Sequence, residues 1–347
     1  MSAETDRSKA GIPKLADVAR QAGVSTATVS RCLNDPSVVS ERTRQKVMKA
    51  VERLGYAPNF GAQALAAKRT NTFGAIIPTM ENAIFARGLQ AFQEELGAHR
   101  TTLLVASSSY RPDLEEEQIR ALVARGADAL LLIGYDRTEA TYEFLRQRNM
   151  PFVVSWAFDA GHSATTVGFD NRQAMQTLAA QVIDLGHRRL ALISAERRDN
   201  DRARERVAGV LAAMADTGLA PDDLTIVEVP YSIENGSSAF AQLMARADPP
   251  TAVLCGNDVL AAGALTQAKA MGLSVPDDVS ITGFDDIELA QIVDPPLTTV
   301  HVPHRDMGRE AARTLIAARN GTEKVSSLKL QTQLVWRQSL GPAPKTG

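Results

Sequence analysis

The stretch KLADVARQAGVSTATVSRCLNDP, Lys14 to Pro36, carries Ser25, Thr26, Thr28, Ser30 and Arg31 where a core helix would carry bulky apolar side chains. Small residues let a helix approach a nucleic-acid groove closely, and hydroxyls and a guanidinium then bond base edges or phosphates. Other chemistries find no footing. No two glycines lie two apart, which excludes the G-x-G dinucleotide fingerprint, and neither a P-loop nor a G-x-S-x-G elbow occurs. His301 and His304 are separated by Pro303, which argues against a helix aiming both at one metal, so they read as a strand-to-helix connection. Cys32 and Cys255 lie outside any metal-type spacing and read as reduced, buried, small apolar residues. No spaced carboxylate pair stands out as acid and base. The reading is of a non-enzyme with no cofactor and no metal.

The elements that must position the polar stretch follow from local signals. Lys14 to Ala22 is a short helix with Leu15, Val18 and Ala19 inward; Gly23 ends it, and Ser25 is placed to N-cap a second helix running to about Leu33. Val24 and Val29 pack between the two, leaving Thr26, Ala27, Ser30 and Arg31 outside. A third helix, Glu41 to Leu54 after Ser40 as N-cap, closes the small core with Val47, Ala50, Val51 and Leu54. Residues 14–58 thus form an all-α helix-turn-helix head behind a disordered arm, 1–13, although a plain helical hairpin shares much of this pattern. The connector from Tyr56 to Thr72 has a helix start at Pro58-Asn59, and Leu65 is its one large apolar side chain after Phe60. An isolated helix of about ten residues is marginal in water, so this hinge, 59–70, should order only when something packs on it.

From Phe73 onward, short apolar runs alternate with helical patterns: FGAIIPT, TTLLVASSS, GADALLLIG, PFVVSWAF, HRRLALISA, DLTIVEVP, PTAVLCGND and DVSITGFDD. Unalternated branched runs are what strands buried on both faces look like, and helices such as Asn171 to Leu185 cover those faces. A strand start in THVPHRDMG and an alternating strand LKLQTQLVWRQS bring the expectation to about ten strands. That is too many for one open sheet of this length, so an α/β body, 71–340, with two Rossmann-like lobes is expected, the chain crossing between them more than once. The tail, 341–347, reads as disordered.

The formal net charge of −2 hides an asymmetry. Residues 1–70 hold 12 Lys and Arg against 6 Asp and Glu, a balance of +6, which leaves −8 for the rest. A basic head on an acidic body points the head at a polyanion. No apolar run reaches the roughly 20 residues of a membrane span and no export signal is recognisable, which implies a cytoplasmic protein with no membrane partner.

DVARQAGVSTATVSRCLN, followed by VSERTRQKVMKAVERLGYAPNFGAQALAAKRTNTFGAIIP, resembles the lactose-repressor/galactose-repressor (LacI/GalR) family of bacterial transcription regulators. GHRRLALIS, RERVAGV, CGNDVLAAGAL, VPDDVSITGFDD and DPPLTTV fit the same family, so the likeness covers residue 14 to about 340. It implies that the second helix reads the major groove through Ser25, Thr26, Ala27, Thr28, Ser30 and Arg31, with Asn34 just beyond. Thr26 and Ala27 match the family's two base-reading positions, and Ala27 offers only a methyl group. The family's hinge helix matches Asn59 to Lys68, and its minor-groove wedge matches Leu65. A homodimer on a near-palindromic double-stranded operator follows, and no tetramerising extension is expected in a chain ending GPAPKTG.

The same resemblance implies a periplasmic-binding-protein-like body with a small-molecule effector between its lobes. The rule that ligands gather at the carboxyl ends of parallel strands nominates, independently, Pro78, Thr79, Ser107 to Ser109, Trp156, Tyr231, Asn257 and Asp285. The family's effector positions match Asn82, Phe85, Trp156, Arg206, Tyr231, Asn257 and Asp285. Plainer roles stand beside these: Asp285 as a helix cap, Arg206 as a surface charge, Trp156 as core, and Asp258 and the Asp170-Asn171 pair as caps. YRPDLEEEQ and VGFDNRQA are similar to the gluconate-repressor branch, and Arg202, Arg204 and Arg206 would meet a carboxylate, so a sugar acid is the expected effector. A binding protein of the periplasmic type without DNA function is the rival from another class, and a relative answering to a neutral sugar or nucleobase is the rival within this one.

Overall fold

The computed structural model describes residues 12–34, 36–57, 69–81, 83–321 and 325–344. Most of the expected hinge, with Asn59 and Leu65, lies outside the described residues, as do Asn82 and the Asn34 side chain. The chain divides into two compact units between Thr70 and Asn71.

The first unit is built on helices α1 (Leu15–Ala22), α2 (Thr26–Asn34) and α3 (Glu41–Leu54). Gly23 adopts φ 67°, a left-handed conformation that a residue with a Cβ resists, and ends α1 there. The Thr28 backbone N–H donates to Ser25 Oγ at 3.2 Å, so Ser25 caps α2 as its residue type predicts. Ser40 stands at the N-cap of α3 without bonding a backbone amide; its hydroxyl pairs instead with Thr43 Oγ1 at 2.9 Å. Val18, Ala19, Val29, Cys32, Val47 and Ala50 form the core together with Tyr56. Tyr56 therefore belongs to the head rather than to the connector, because its ring finds apolar partners there.

The second unit holds two parallel sheets. Strands β1 (Thr72–Ile77), β2 (Thr102–Ser107), β3 (Ala129–Ile133), β4 (Phe152–Ser155) and β5 (Thr166–Gly168) form the N-lobe sheet, joined at its edge by β11 (Leu328–Lys329), in the order β11-β5-β4-β3-β1-β2. The C-lobe sheet is β7-β6-β8-β9, from β6 (Leu190–Ser194), β7 (Leu224–Glu228), β8 (Ala252–Cys255) and β9 (Ser280–Thr282). A two-stranded antiparallel piece pairs β10 (Thr299–His301) with β12 (Gln333–Val335). The strands β1, β3, β6 and β8 are buried along their whole length, as their unalternated sequences require.

Two expectations are corrected here. LKLQTQLVWRQS is not one strand: its first part adds to the N-lobe sheet beside β5, the chain turns, and its second part pairs with β10, leaving Trp336 exposed. The expected ten or so strands become twelve among the described residues, because that segment splits in two and β5 (Thr166–Gly168), just before the Asp170-Asn171 cap, is too short to show in the apolar pattern. The chain crosses between lobes after β5, again at helix α12 (His304–Asn320), which packs on the N-lobe helix α4 (Ala83–Ala98), and once more before β12. Gly88 and Gly308 permit that packing, since a Cβ at Gly308 would lie 1.9 Å from the Gly88 carbonyl oxygen.

Candidate functional site

Two surfaces assemble the residues singled out by sequence. On the head, Ser25, Thr26, Ala27 and Arg31 are exposed, and Thr28 and Ser30 are half-buried. Residues 26, 27, 30 and 31 lie on one helical face because three- and four-residue spacings stack along a helix. The Ser25 and Thr28 hydroxyls bond each other at 2.9 Å. Thr26 and Arg31 therefore offer the outward hydroxyl and guanidinium of this face, with Ala27 between them as a small gap.

In the body, the ends of β4, β8 and β9 converge on a ring of buried polar groups. Helix α7 (Asn171–Asp184) begins with Asn171, whose amide donates to the Trp156 carbonyl at 3.0 Å and accepts from Arg206 Nε at 2.9 Å. Arg206, on helix α8 (Asp201–Asp216), donates to the Gly256 carbonyl and holds its guanidinium 3.9 Å from the centre of the Phe284 ring. Its Nη2 stands 3.7 Å from the Asp285 carboxylate. His304 closes the ring, 3.8 Å from that carboxylate and stacked against Trp156 with ring centres 6.3 Å apart. Phe85 packs against Trp156 at a tilt of 55°, with ring centres 5.5 Å apart.

This ring is unsatisfied. Neither carboxylate oxygen of Asp285 has a hydrogen-bond partner, and the same holds for the Asn257 amide nitrogen and the Trp156 indole nitrogen. All three residues are 1% exposed. A buried polar group without a partner is costly, so such groups mark a place where something else is meant to bond. Trp156 and Asp285 also hold left-handed backbone conformations, φ 60° and 103°, of the kind that collect at functional sites. Burial pushes the Asp285 carboxyl up to about 7 against the downward pull of Arg206. Burial, with Arg87 and Arg206 nearby, pushes His304 down to about 3, so its ring is neutral.

The plainer roles separate cleanly. Asp170 caps α7 by accepting from the Gln173 N–H at 2.9 Å. Asn257, not Asp258, caps helix α10 (Asp258–Ala270), its Oδ1 accepting from the Leu260 N–H at 2.9 Å, which leaves the amide nitrogen for other work. Asp258 is instead buried as an acceptor for the Ile287 N–H at 2.8 Å and the Thr299 hydroxyl at 2.6 Å. The expected cluster of three arginines is dispersed: Arg202 bonds Asp201 at 2.8 Å and Arg204 bonds Asp136 at 2.5 Å, so Arg206 alone stays beside Asp285. Ser107 donates to the Pro78 carbonyl at 3.1 Å, which uses two of the nominated strand-end positions on each other. His301 bonds Asp286 Oδ2 at 2.9 Å and does not point with His304 to a metal.

Two cavities lie between the lobes, and the second shares Asn171 with the ring. One, of about 410 Å³, includes Tyr110, Asn200 and Tyr231; the other, of about 440 Å³, includes Tyr135, Asn171, Asp201 and Arg202. The lobes are tied across the second by the Tyr135 backbone N–H, which donates to Asp201 Oδ2 at 2.7 Å. Asn171, His304 and Tyr110 were not singled out as ligand-facing by sequence. Asn171 carried a usable signal as the first helical residue past a strand end, but that strand is only three residues long.

Residues 14–59 match the family model of bacterial regulatory proteins, lacI family, and residues 179–340 match the periplasmic binding protein-like domain. Catabolite control protein A of Priestia megaterium is 33% identical over 93% of this chain and 98% of its own length. The HTH-type transcriptional repressor CytR of Escherichia coli K12 is 34% identical, covering 94% of this chain and 96% of CytR. The lac repressor dimer, solved with operator and the anti-inducer ONPF, superposes with a TM-score of 0.84 at 26% identity, over 95% of this chain and 99% of the repressor.

Proposed function

This chain belongs to the LacI family of DNA-binding bacterial regulators and is not an enzyme, and from that membership we propose that it is a homodimeric repressor whose operator grip is set by a sugar or sugar acid held between the lobes. The observation that carries the effector class is the unsatisfied ring of Asp285, Asn257 and Trp156 beside Arg206. A carboxylate, an amide N–H, an indole N–H and a guanidinium, with the Trp156 and Phe85 rings behind them, match the alternating hydroxyls and C–H faces of a sugar. A sugar-acid carboxylate would meet Arg206 with a charge-assisted bond, and the gluconate-like reading now rests on that one arginine.

On the DNA side, α2 enters the major groove, with Thr26 and Arg31 as base- or phosphate-bonding groups, and Leu65 acts as the minor-groove wedge of paired hinge helices. Two copies read a near-palindromic operator. The effector favours one lobe-to-lobe arrangement, and the short hinge helices, marginal alone, translate it into operator affinity.

The test is calorimetric titration of the full chain with gluconate, ketogluconate, neutral sugars and nucleosides, followed by operator binding with and without the tightest ligand. A sugar-class ligand that shifts operator affinity is the expected result. A nucleobase binding far tighter than every sugar would replace the effector class, and a Leu65→Ala variant with unchanged operator affinity would remove the hinge role.

A further inference from the structure

Outside the polar ring, the two lobes bond each other where the N-lobe loop after β3, residues 134–137, lies against the first turn of α8 in the C-lobe. There the Tyr135 backbone N–H donates to Asp201 Oδ2 at 2.7 Å, and Arg204 Nη2 donates to Asp136 Oδ1 at 2.5 Å. Gly134 permits the approach: its φ of 67° is left-handed, and a Cβ there would collide with the Arg202 guanidinium and the Asp201 carboxylate.

Both sides of this contact are braced from within their own lobe. Arg137, its side chain 1% exposed, donates Nη2 to Glu115 at 3.0 Å and Nη1 to the Tyr142 hydroxyl at 2.9 Å, which fixes the loop that presents Tyr135 and Asp136. On α8, Asp201 Oδ1 accepts from the Arg202 backbone N–H at 2.9 Å and from its guanidinium at 2.8 Å, so Oδ2 is held toward the N-lobe. Asp136 has no such reserve. Its Oδ2 is buried without a partner, which leaves Arg204 of the other lobe, among the described residues, as the only group bonding this carboxylate. A second cross-lobe pair, Arg87 on α4 with Glu288 after β9, is set differently: the Glu288 side chain is 76% exposed, and a pair that water reaches contributes little.

We propose that Asp136, Arg204 and Asp201 form a latch between the lobes, a conformational device that biases the body toward a closed cleft through groups outside the ring. An effector moves an equilibrium only by its differential affinity for the two arrangements, so a latch that sets the starting population tunes the response without touching the ligand. Arg204 is its critical half, because removing it strands a carboxylate that has nothing else to bond. The latch is independent of the effector's identity.

Trp156 can report on the latch without any ligand. It is 1% exposed in the cleft, and the chain's other tryptophan, Trp336, is 50% exposed and can be replaced by Phe to leave one buried reporter. The experiment is acrylamide quenching of Trp156 fluorescence in the full-length Trp336→Phe protein. Adding Arg204→Ala should raise the quenching constant about threefold or more, as a larger share of molecules opens the cleft. Arg204→Lys, which keeps a cation within reach of Asp136, should stay near the parent. Asp136→Ala combined with Arg204→Ala should quench no more than Arg204→Ala alone, since groups that act through one bond are not additive and the stranded carboxylate is gone. Glu288→Gln should leave quenching unchanged. Equal quenching in Arg204→Ala and the parent, an Arg204→Lys protein as open as Arg204→Ala, a double variant quenched more strongly than the single, or an equal rise in Glu288→Gln would each overturn the latch.

Discussion

The two units of this protein bury opposite things. Among the described residues, every buried side chain of the head is hydrophobic, and its chemistry faces outward as hydroxyls and Arg31. The body buries ionisable groups: Arg206, Asp258, Asp285 and His304 lie inside it, and Arg137 and Glu115 form a further buried pair at 3.0 Å. The difference follows from the partners. A polyanion rewards exposed cations through counterion release and needs no desolvated pocket. A small neutral or singly charged ligand is distinguished by groups already stripped of water, whose unmet bonds penalise any ligand that cannot complete them. Operator binding should therefore respond steeply to salt, and effector binding to pH.

The sharpest way to break this comparison is Arg206→Ala. Removing one partner of a buried charge pair costs about 3–5 kcal/mol, so calorimetry should show effector binding lost and the body's melting temperature lowered. Operator binding of the effector-free protein, followed by gel shift, should stay intact. A matching loss of operator affinity would show that the units do not divide the work as drawn.

The converse on the head is Arg31→Ala, expected to weaken specific operator binding by about 1–3 kcal/mol, with effector affinity within roughly twofold of the parent. A smaller and different signature belongs to Asp285. Its folded carboxyl is raised to about 7 from 3.8, so the folded body holds this proton more tightly than the unfolded chain. The stability this contributes is full below about pH 4 and is lost as pH rises towards 7. Effector binding that uses the carboxylate as acceptor runs the other way, weakening by up to about tenfold per pH unit below 7. Of the groups around it, His304 titrates near 3, burial moves Tyr231 upward, and Asp258 is raised in the same direction as Asp285 by burial and by that neighbouring carboxyl. Titrations between pH 5 and 8 should show the slope in the parent and a flat profile in Asp285→Asn. The smallest effect is Ser25→Ala, which removes the cap on α2 and should cost the head about 1 kcal/mol, read as a lower melting temperature of that unit alone.

The head was legible from its sequence nearly residue by residue. Caps such as Gly23 and Ser25 act on neighbours a few positions away, and the inward spacing of Val47 and Ala50 repeats within one helix, so local rules suffice. The body's buried strands were legible for the same reason, since runs such as ALLLI permit few other placements. The errors fell where a short segment takes its conformation from distant partners. β5 and β11 are three and two residues long and exist because each finds an edge to pair with.

The site divides along the same line. Residue types and the strand-end rule were enough to nominate Trp156, Asn257 and Asp285, because parallel strands must deliver their loops to one side. Which nominated groups keep unmet bonds was a matter of packing between segments far apart in the chain. Asp201 and Asp136 neutralise Arg202 and Arg204, Asn171 and the Gly256 carbonyl fix Arg206 beside Asp285, and Tyr110 meets Tyr231 across the cleft. A residue's type limits the bonds it can make; burial and its neighbours in space decide which of those bonds are left for a ligand.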